Sequence, residues 1–324
     1  MKVCVLGCGA YGIALAMMLV RNNHDITMWT KFEDEKNMLE TKRENNLKLP
    51  GIKIPNSIKF STNLKETVEG KDLIIMAVPA GVVGKTSEDL EELIKENQHI
   101  CLASKGIEQG SCLFVEEIFR KYVKTDNLAI ISGPSFASDM VKNNPIGLSL
   151  ATTSEETENI VRQALENKFL KLRETDDIIG IEICGSIKNV IAIAAGILDG
   201  MGASSSTKAM FITESLHDIK ELIDSLGGDK KTILSFAGFG DLLLTCTSEQ
   251  SRNFKYGKLI GSKTDKKIID DYVKNTTIEG LYTLKSIYKL LNDKKVNMPI
   301  IDLVYNIILK NDDCNKLFDF LISK

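Results

Sequence analysis

An α/β domain built on a mainly parallel sheet, followed by an all-helical domain, is the fold class this sequence predicts. Three observations lead there. The first half alternates short apolar runs with longer mixed segments, the pattern of βαβ units. Runs such as Leu73-Ile74-Ile75-Met76-Ala77-Val78 are apolar without alternation, as strands covered on both faces must be. After about residue 180 strand-like runs cease, proline almost disappears, and apolar residues recur at helical spacing.

The expected strands are Val3–Leu6, Ile26–Trp29, Leu73–Val78, Ile100–Ala103, Leu128–Ile131, Leu148–Ala151 and Phe169–Leu172. Helical patterns fill the gaps at Gly12–Arg21, Glu88–Glu96, Leu113–Val123 and Glu155–Asn167. Ile187, Val190, Ile191, Ala194, Ala195 and Leu198 fill most of one long helix early in the second half. The sequence thus divides into a sheet domain over 1–180 and a helical domain over 181–324, the second expected to carry the substrate and the chemistry.

Bulk properties exclude several classes. A chain of 324 residues suits two cores, and 43% hydrophobic with 26% charged residues is an ordinary globular balance. A net charge of −3 with mixed signs offers no basic field for nucleic acid. The seven cysteines are odd in number, mostly inside apolar runs and without a CxxC pair, so reduced, buried thiols in a cytoplasmic protein are expected. His24, His99 and His217 fit no ligand spacing, and no metal is expected. The apolar run after Met1 is too short for a signal-peptide core, and no uninterrupted apolar stretch reaches the length of a membrane span, so membrane insertion is not expected.

Gly7-Cys8-Gly9-Ala10-Tyr11-Gly12 follows the first strand and opens the first helix, the GxGxxG arrangement of a dinucleotide-binding, Rossmann-type domain. Gly7 serves the tight turn, Gly9 lets a pyrophosphate approach the backbone, and Gly12 allows close helix–strand contact. The helix start then offers N–H groups to the phosphates. The plainer alternative is a glycine-rich βα turn with no ligand. The second strand ends Met28-Trp29-Thr30-Lys31, without the acid that would bind a ribose 2′-hydroxyl. Lys31 instead suits the 2′-phosphate of NADPH, although a solvated surface lysine is the competing explanation.

Five further segments look unlike generic core. Lys105 in Ser104-Lys105-Gly106 and the pair Gly133 and Ser135 in Gly133-Pro134-Ser135 follow successive strands at the edge where open sheets bind ligands. Each suits a substrate oxygen, while Gly133-Pro134-Ser135 alone also reads as a turn and helix cap. Lys188, flanked by Ile187, Val190, Ile191 and Ile193, is expensive to bury unless paired or functional, which marks a proton donor and acceptor. A lysine snorkelling at a helix end is the bland alternative. Asp241 is its candidate partner, or simply an N-cap before Leu242-Leu243-Leu244. Arg252 suits a phosphate because its planar fork donates two hydrogen bonds, with Ser251 and Asn253 adding neutral ones, unless Ser-Arg-Asn is an ordinary polar helix start.

These segments, together with Leu49-Pro50-Gly51-Ile52-Lys53-Ile54-Pro55, Phe136-Ala137, Cys184–Asn189, Gly238–Leu242 and Glu279-Gly280, resemble the bacterial NAD(P)-dependent glycerol-3-phosphate dehydrogenases over essentially the whole chain. The resemblance implies reduction of dihydroxyacetone phosphate to sn-glycerol 3-phosphate for glycerophospholipid synthesis, by hydride transfer with Lys188 as general acid and base. It implies substrate contacts at Lys105, Gly133, Ser135, Asp241, Ser251, Arg252 and Asn253. It places Ala10, Tyr11, Lys31, Lys105, Ala137, Arg252, Thr277 and Glu279 at the cofactor, and a homodimer as the assembly. Ala10 stands where serine is commoner in the family, and Thr277 where an aliphatic residue is usual. The alternatives are a β-hydroxyacid or ketopantoate reductase, which would need a carboxylate site in place of the phosphate site, and a non-catalytic dinucleotide sensor.

Overall fold

The computed structural model describes residues 1–323. Its strands are β1 (Lys2–Leu6), β2 (Asp25–Trp29), β3 (Lys59–Ser61), β4 (Leu73–Met76), β5 (His99–Leu102), β6 (Leu128–Ser132), β7 (Ile146–Thr152) and β8 (Leu170–Thr175). They form one sheet in the order β3-β2-β1-β4-β5-β6-β7-β8. All pairings are parallel except β6 with β7. Every residue of β4, β5 and β6 is buried, which explains their unbroken apolar runs. The chain runs outward from β1 through β2 and β3, then returns to start β4 on the other side of β1. That reversal makes a crevice at the carboxyl ends of β1 and β4.

The sheet is flanked in its unit by α1 (Ala10–Arg21), α2 (Glu33–Lys42), α3 (Leu64–Val68), α4 (Val83–Leu90), α5 (Val115–Tyr122), α6 (Ala137–Met140) and α7 (Glu155–Leu165). The core lies between strands and helices, with Val3, Val5, Ile13, Leu15, Leu19, Met28, Ile75 and Leu148 all fully buried. Two expectations need correction. The helix expected at Glu88–Glu96 is α4, which begins earlier because the face it buries starts at Val83 and Gly84 and runs through Thr86 and Ser87 to Leu90. Strand β3 has only three residues, one of them buried, so it carried no periodic signal.

The second unit is all helical among the described residues: α8 (Ile178–Gly200), α9 (Ser205–Ser225), α10 (Asp241–Thr247), α11 (Arg252–Gly261), α12 (Lys266–Asn275), α13 (Glu279–Lys294), α14 (Pro299–Lys310) and α15 (Lys316–Ser323). Helix α8 is buried on nearly every face, which accounts for its apolar composition. By length and composition alone it could cross a membrane, but 83% of its most apolar window is buried. Serine and aspartate side chains cap α9, α11 and α12, each cap contributing about 1 kcal/mol.

The units do not divide at one point in the chain. The first holds Met1–Lys105 and Val115–Ile178, whereas Gly106–Phe114 clusters with the helices that follow Ile178. The 1–180 expectation put that segment with the sheet. It belongs to the helices because Ser286 Oγ donates to Glu108 O at 3.2 Å and Lys289 Nζ to Gly110 O at 3.3 Å, both from α13.

Candidate active site

In the sheet unit, the glycines after β1 have three different physical reasons. Gly7 has φ +113°, and a Cβ there would stand 2.8 Å from Ala77 O. A Cβ on Gly12 would stand 2.1 Å from Gly7 O, so α1 touches its own loop. Gly9 is the N-cap of α1, with an ordinary φ of −70° and nothing within 4 Å of where a Cβ would point. Packing does not demand glycine there; the space it leaves is a cradle open to a ligand. No side chain caps α1, so its first-turn N–H groups face that same space.

Tyr11 carries this loop toward the ends of the next strands. Its hydroxyl lies 3.2 Å from Ser135 Oγ, and Ser135 donates to Gly133 O at 3.0 Å, which makes Tyr11 the donor of the first bond. Lys105 Nζ donates to the same Gly133 carbonyl at 3.3 Å. Tyr11, Ser135, Gly133 and Lys105 are therefore one connected cluster on the sheet unit. Ser135 is not the helix cap that its sequence context allowed, because Phe136 holds that position. Gly133 is glycine for space: a Cβ would meet Gly147 O of β7 at 2.8 Å. Ala137 is the first residue of α6, and α6 packs on α1.

Past β2, Lys31 is exposed and makes no hydrogen bond or ion pair among the described residues. The nearest following acid that turns inward, Glu35, is already engaged by Thr30 Oγ1 at 2.5 Å and Lys48 Nζ at 2.6 Å.

In the helical unit, Lys188 is neither free nor snorkelling. Its ammonium donates to Asp241 Oδ1 at 2.6 Å and to Thr245 Oγ1 at 3.3 Å, with side-chain exposures of 12% for Lys188 and 2% for Asp241. Gly240, without a side-chain bond, is the N-cap of α10. The N-cap alternative for Asp241 is thus set aside: it lies inside the first turn and faces the lysine. The π-helical turn Phe236–Gly240 leads into it, packed so closely that a Cβ on Gly238 would stand 2.2 Å from Ile233 O. Thr245, one turn along α10, donates to Asp241 O at 2.6 Å and so turns its lone pairs to Lys188. Sequence reasoning missed it; its signal was the four-residue spacing after Asp241.

A second cluster links three helices. Asn253 Nδ2 donates to Asn189 Oδ1 at 2.9 Å, and Gly280 N donates to Asn253 Oδ1 at 2.9 Å. Asn189 Nδ2 donates to Glu279 Oε2 at 3.3 Å, and Glu279 Oε1 lies 3.7 Å from Arg252 Nη2. Arg252 is half exposed at the start of α11, with its guanidinium available to an anion. Ser251 spends its hydroxyl as the α11 cap, accepting from Phe254 N at 3.2 Å. Thr277 is exposed in the loop before α13.

These halves find counterparts among known proteins. The sequence profile described as NAD-dependent glycerol-3-phosphate dehydrogenase N-terminus matches residues 2–158, and that of the C-terminus matches residues 177–319. The chain belongs to that family. A Fusobacterium nucleatum member named glycerol-3-phosphate dehydrogenase [NAD(P)+] is 36% identical, covering all of this chain and 97% of its own length. A crystal structure of glycerol-3-phosphate dehydrogenase from Coxiella burnetii superposes with a TM-score of 0.93 at 31% identity, covering 100% of this chain and 99% of that one. A ketopantoate reductase from Ralstonia eutropha reaches a TM-score of 0.61 at 11% identity over 99% of both chains, a likeness of fold alone.

As a glycerol-3-phosphate dehydrogenase family member, the chain takes a nicotinamide dinucleotide and a small-molecule substrate, and the cradle over Gly9 fits the former. Among the described residues no group of three or more His, Cys, Asp or Glu is placed to hold a metal. Two of the three histidines are tied into the sheet unit: His99 is buried against Thr157 Oγ1 at 3.0 Å, and His24 lies 3.3 Å from Gln163 O, whereas His217 is exposed on α9.

Proposed function

We propose that this protein reduces dihydroxyacetone phosphate to sn-glycerol 3-phosphate, with Lys188 as the general acid. The buried Lys188–Asp241–Thr245 cluster carries this reading. An amine that donates to a carboxylate and a hydroxyl is aimed, as a proton donor must be. The reduced dinucleotide, when bound, supplies the hydride that attacks the ketone carbon. As the C=O π bond breaks, negative charge collects on oxygen, and Lys188 Nζ gives that oxygen its proton to form the product hydroxyl. Asp241 and Thr245 keep the amine oriented through the transfer. Arg252 anchors the phosphate and turns binding energy into orientation. In the reverse direction Lys188 accepts the proton.

Lys105, Gly133 and Ser135 are proposed substrate contacts on the sheet unit. Asn253 is proposed to donate from its amide to the substrate while its carbonyl stays on Gly280 N. Ser251 contributes through its cap. Gly7, Gly9, Ala10, Tyr11, Gly12, Ala137 and Lys31 are proposed to hold the dinucleotide, along with Lys105, Arg252, Thr277 and Glu279. NADPH is preferred in this reading: Lys31 stands unpaired after β2, and Glu35 is tied to Thr30 and Lys48 instead of waiting for a ribose hydroxyl. Seven free cysteines suit a reducing, cytoplasmic setting, and a homodimer follows the commonest assembly symmetry.

The test is loss of reduced-nicotinamide absorbance with purified protein, dihydroxyacetone phosphate, and NADPH or NADH in parallel. Oxidation that needs the phosphate ester is expected, faster with NADPH. Lys31→Ala should cut the NADPH preference by about tenfold, the worth of one charged hydrogen bond. Equal rates with ketopantoate would favour the reductase alternative.

A further inference from the structure

Glycines recur where α8 and α11 meet, and none of them has a positive φ. They are there for space. A Cβ on Gly257 would stand 1.9 Å from Ile193 O, and one on Gly261 would stand 2.1 Å from Ile197 O. From the other side, a Cβ on Gly196 would stand 2.0 Å from Phe254 O, and one on Gly200 2.3 Å from Lys258 O. Every one of these obstacles is main chain, which cannot rotate aside. Glycine is a poor helix former, so two such pairs within two helices work against local propensity. What they permit is backbone-to-backbone contact, closer than side-chain packing allows between helices.

The contacts keep step. Ile193 meets Gly257 and Ile197 meets Gly261, one turn apart on each helix. One turn earlier on each helix, the next rung is the Asn189–Asn253 hydrogen bond, with the same sequence offset of 64. Lys188 and Arg252 are the residues immediately before that rung on their respective helices. The seam therefore ends at the two side chains that the proposed reaction needs at a limited span, one on the carbonyl and one on the phosphate of a short three-carbon ester.

We propose that this glycine seam is a ruler. Gly257, Gly261, Gly196 and Asn189 are positioning residues that set the span between Lys188 and Arg252, and so match the active site to a phosphate at one distance from a ketone. The proposal rests on the dihydroxyacetone phosphate reading above. Adding a methyl at Gly257 forces α11 away from α8 next to the first rung, and displacements of about 1 Å cost on the order of a hundredfold when they misplace a reacting group. At Gly200, the far end, the same methyl pivots the helices with less effect on the rung.

The experiment compares Gly257→Ala, Gly200→Ala and Asn189→Ala with the unaltered protein. It measures kcat/KM for dihydroxyacetone phosphate and for dihydroxyacetone, which has the ketone but no phosphate, and the Kd of the reduced dinucleotide. Gly257→Ala and Asn189→Ala are expected to lose roughly thirtyfold or more on the phosphate ester, and under about threefold on dihydroxyacetone, with a loss of dinucleotide affinity well below the loss on the ester, since Arg252 and Glu279 also serve the dinucleotide in the proposed reading. Gly200→Ala is expected to lose several times less on the ester at a comparable fall in Tm. Equal losses on both substrates would mean general damage and overturn the ruler, as would a folded Gly257→Ala with full activity. Asn189→Ala adds no bulk, so it decides the matter if Gly257→Ala does not fold. Unaltered protein that ignores dihydroxyacetone phosphate would overturn the functional reading itself, and the ruler with it.

Discussion

The two units present their ligand-facing groups in opposite ways. Around the glycine loop of the sheet unit the proposed ligand surface is main chain: open space over Gly9 and uncapped N–H groups at the start of α1. In the helical unit side chains are the proposed ligand contacts, and the main chain is used up in packing one helix on another. Glycine appears in both places with different work. At Gly9 it leaves room for something outside the protein, whereas at Gly257 and Gly261 it leaves room for the protein itself. The difference teaches that glycine spacing announces a ligand only when a strand end and a helix start frame it.

Breaking the side-chain half should have the largest effect. Lys188→Ala is expected to lower turnover at least about a hundredfold, the lower range for a general acid, while dinucleotide affinity stays within a factor of two or so. Near-normal turnover in the folded variant would end the assignment. Asp241→Asn should fall in the same direction, because a neutral amide leaves the buried ammonium without its counter-charge.

The backbone half can be split by two substitutions in one loop. Gly12→Ala drives a methyl into Gly7 O and should destabilise by roughly 1–3 kcal/mol, read as a fall in Tm. Gly9→Ala meets nothing and needs no unusual φ, so stability should hold or rise by about 0.4–1 kcal/mol. The same variant should weaken dinucleotide binding by roughly tenfold, equivalent to about 1.4 kcal/mol, seen by fluorescence titration. Equal stability losses at the two glycines would erase the distinction between ligand space and packing space.

Smaller effects sharpen the helical side. Asp199, at the carboxyl end of α8, accepts from Lys208 at 2.6 Å and pairs with Lys258 at 3.0 Å. Partial burial pushes its carboxyl up, but these two lysines outweigh that and hold it below the ordinary value of 3.8. A depressed carboxyl contributes stability above its unfolded value and loses it as pH falls through the lower folded value. The Tm gap between the unaltered protein and Asp199→Asn should therefore be constant near neutrality and close only below about pH 4. A gap that closed between pH 6 and pH 8 would assign the effect to other groups.

Much of the sheet unit was legible because its signals are local. Strands β1, β2 and β4 to β8 show as apolar runs, and the loop at Gly7 to Gly12 shows as spacing. The misses were short or nonlocal. Strand β3 buries only Phe60, and Gly106–Phe114 joins the helices through bonds to residues far along the chain. For the candidate site, Lys188 was visible as a charge out of place in an apolar helix, and Asp241 as an acid after glycines. Thr245 showed only as the four-residue spacing after Asp241, and Asn189 stood in the Cys184–Asn189 segment with no sign that it bonds Asn253 and Glu279 on other helices. The seam was invisible for the same reason: Gly196 and Gly200 look like weak points in a helix until α11 is laid against them.

That seam has a consequence for synthesis on the ribosome. Helix α8 is complete at Gly200, but Gly257 and Gly261 come about sixty residues later. At some 5–20 residues per second, the nascent chain spends roughly 3–12 s with a 23-residue apolar helix lacking the partner that packs onto its glycines. During those seconds the segment has the composition of a membrane span, and α11, which packs onto its glycines, has yet to arrive.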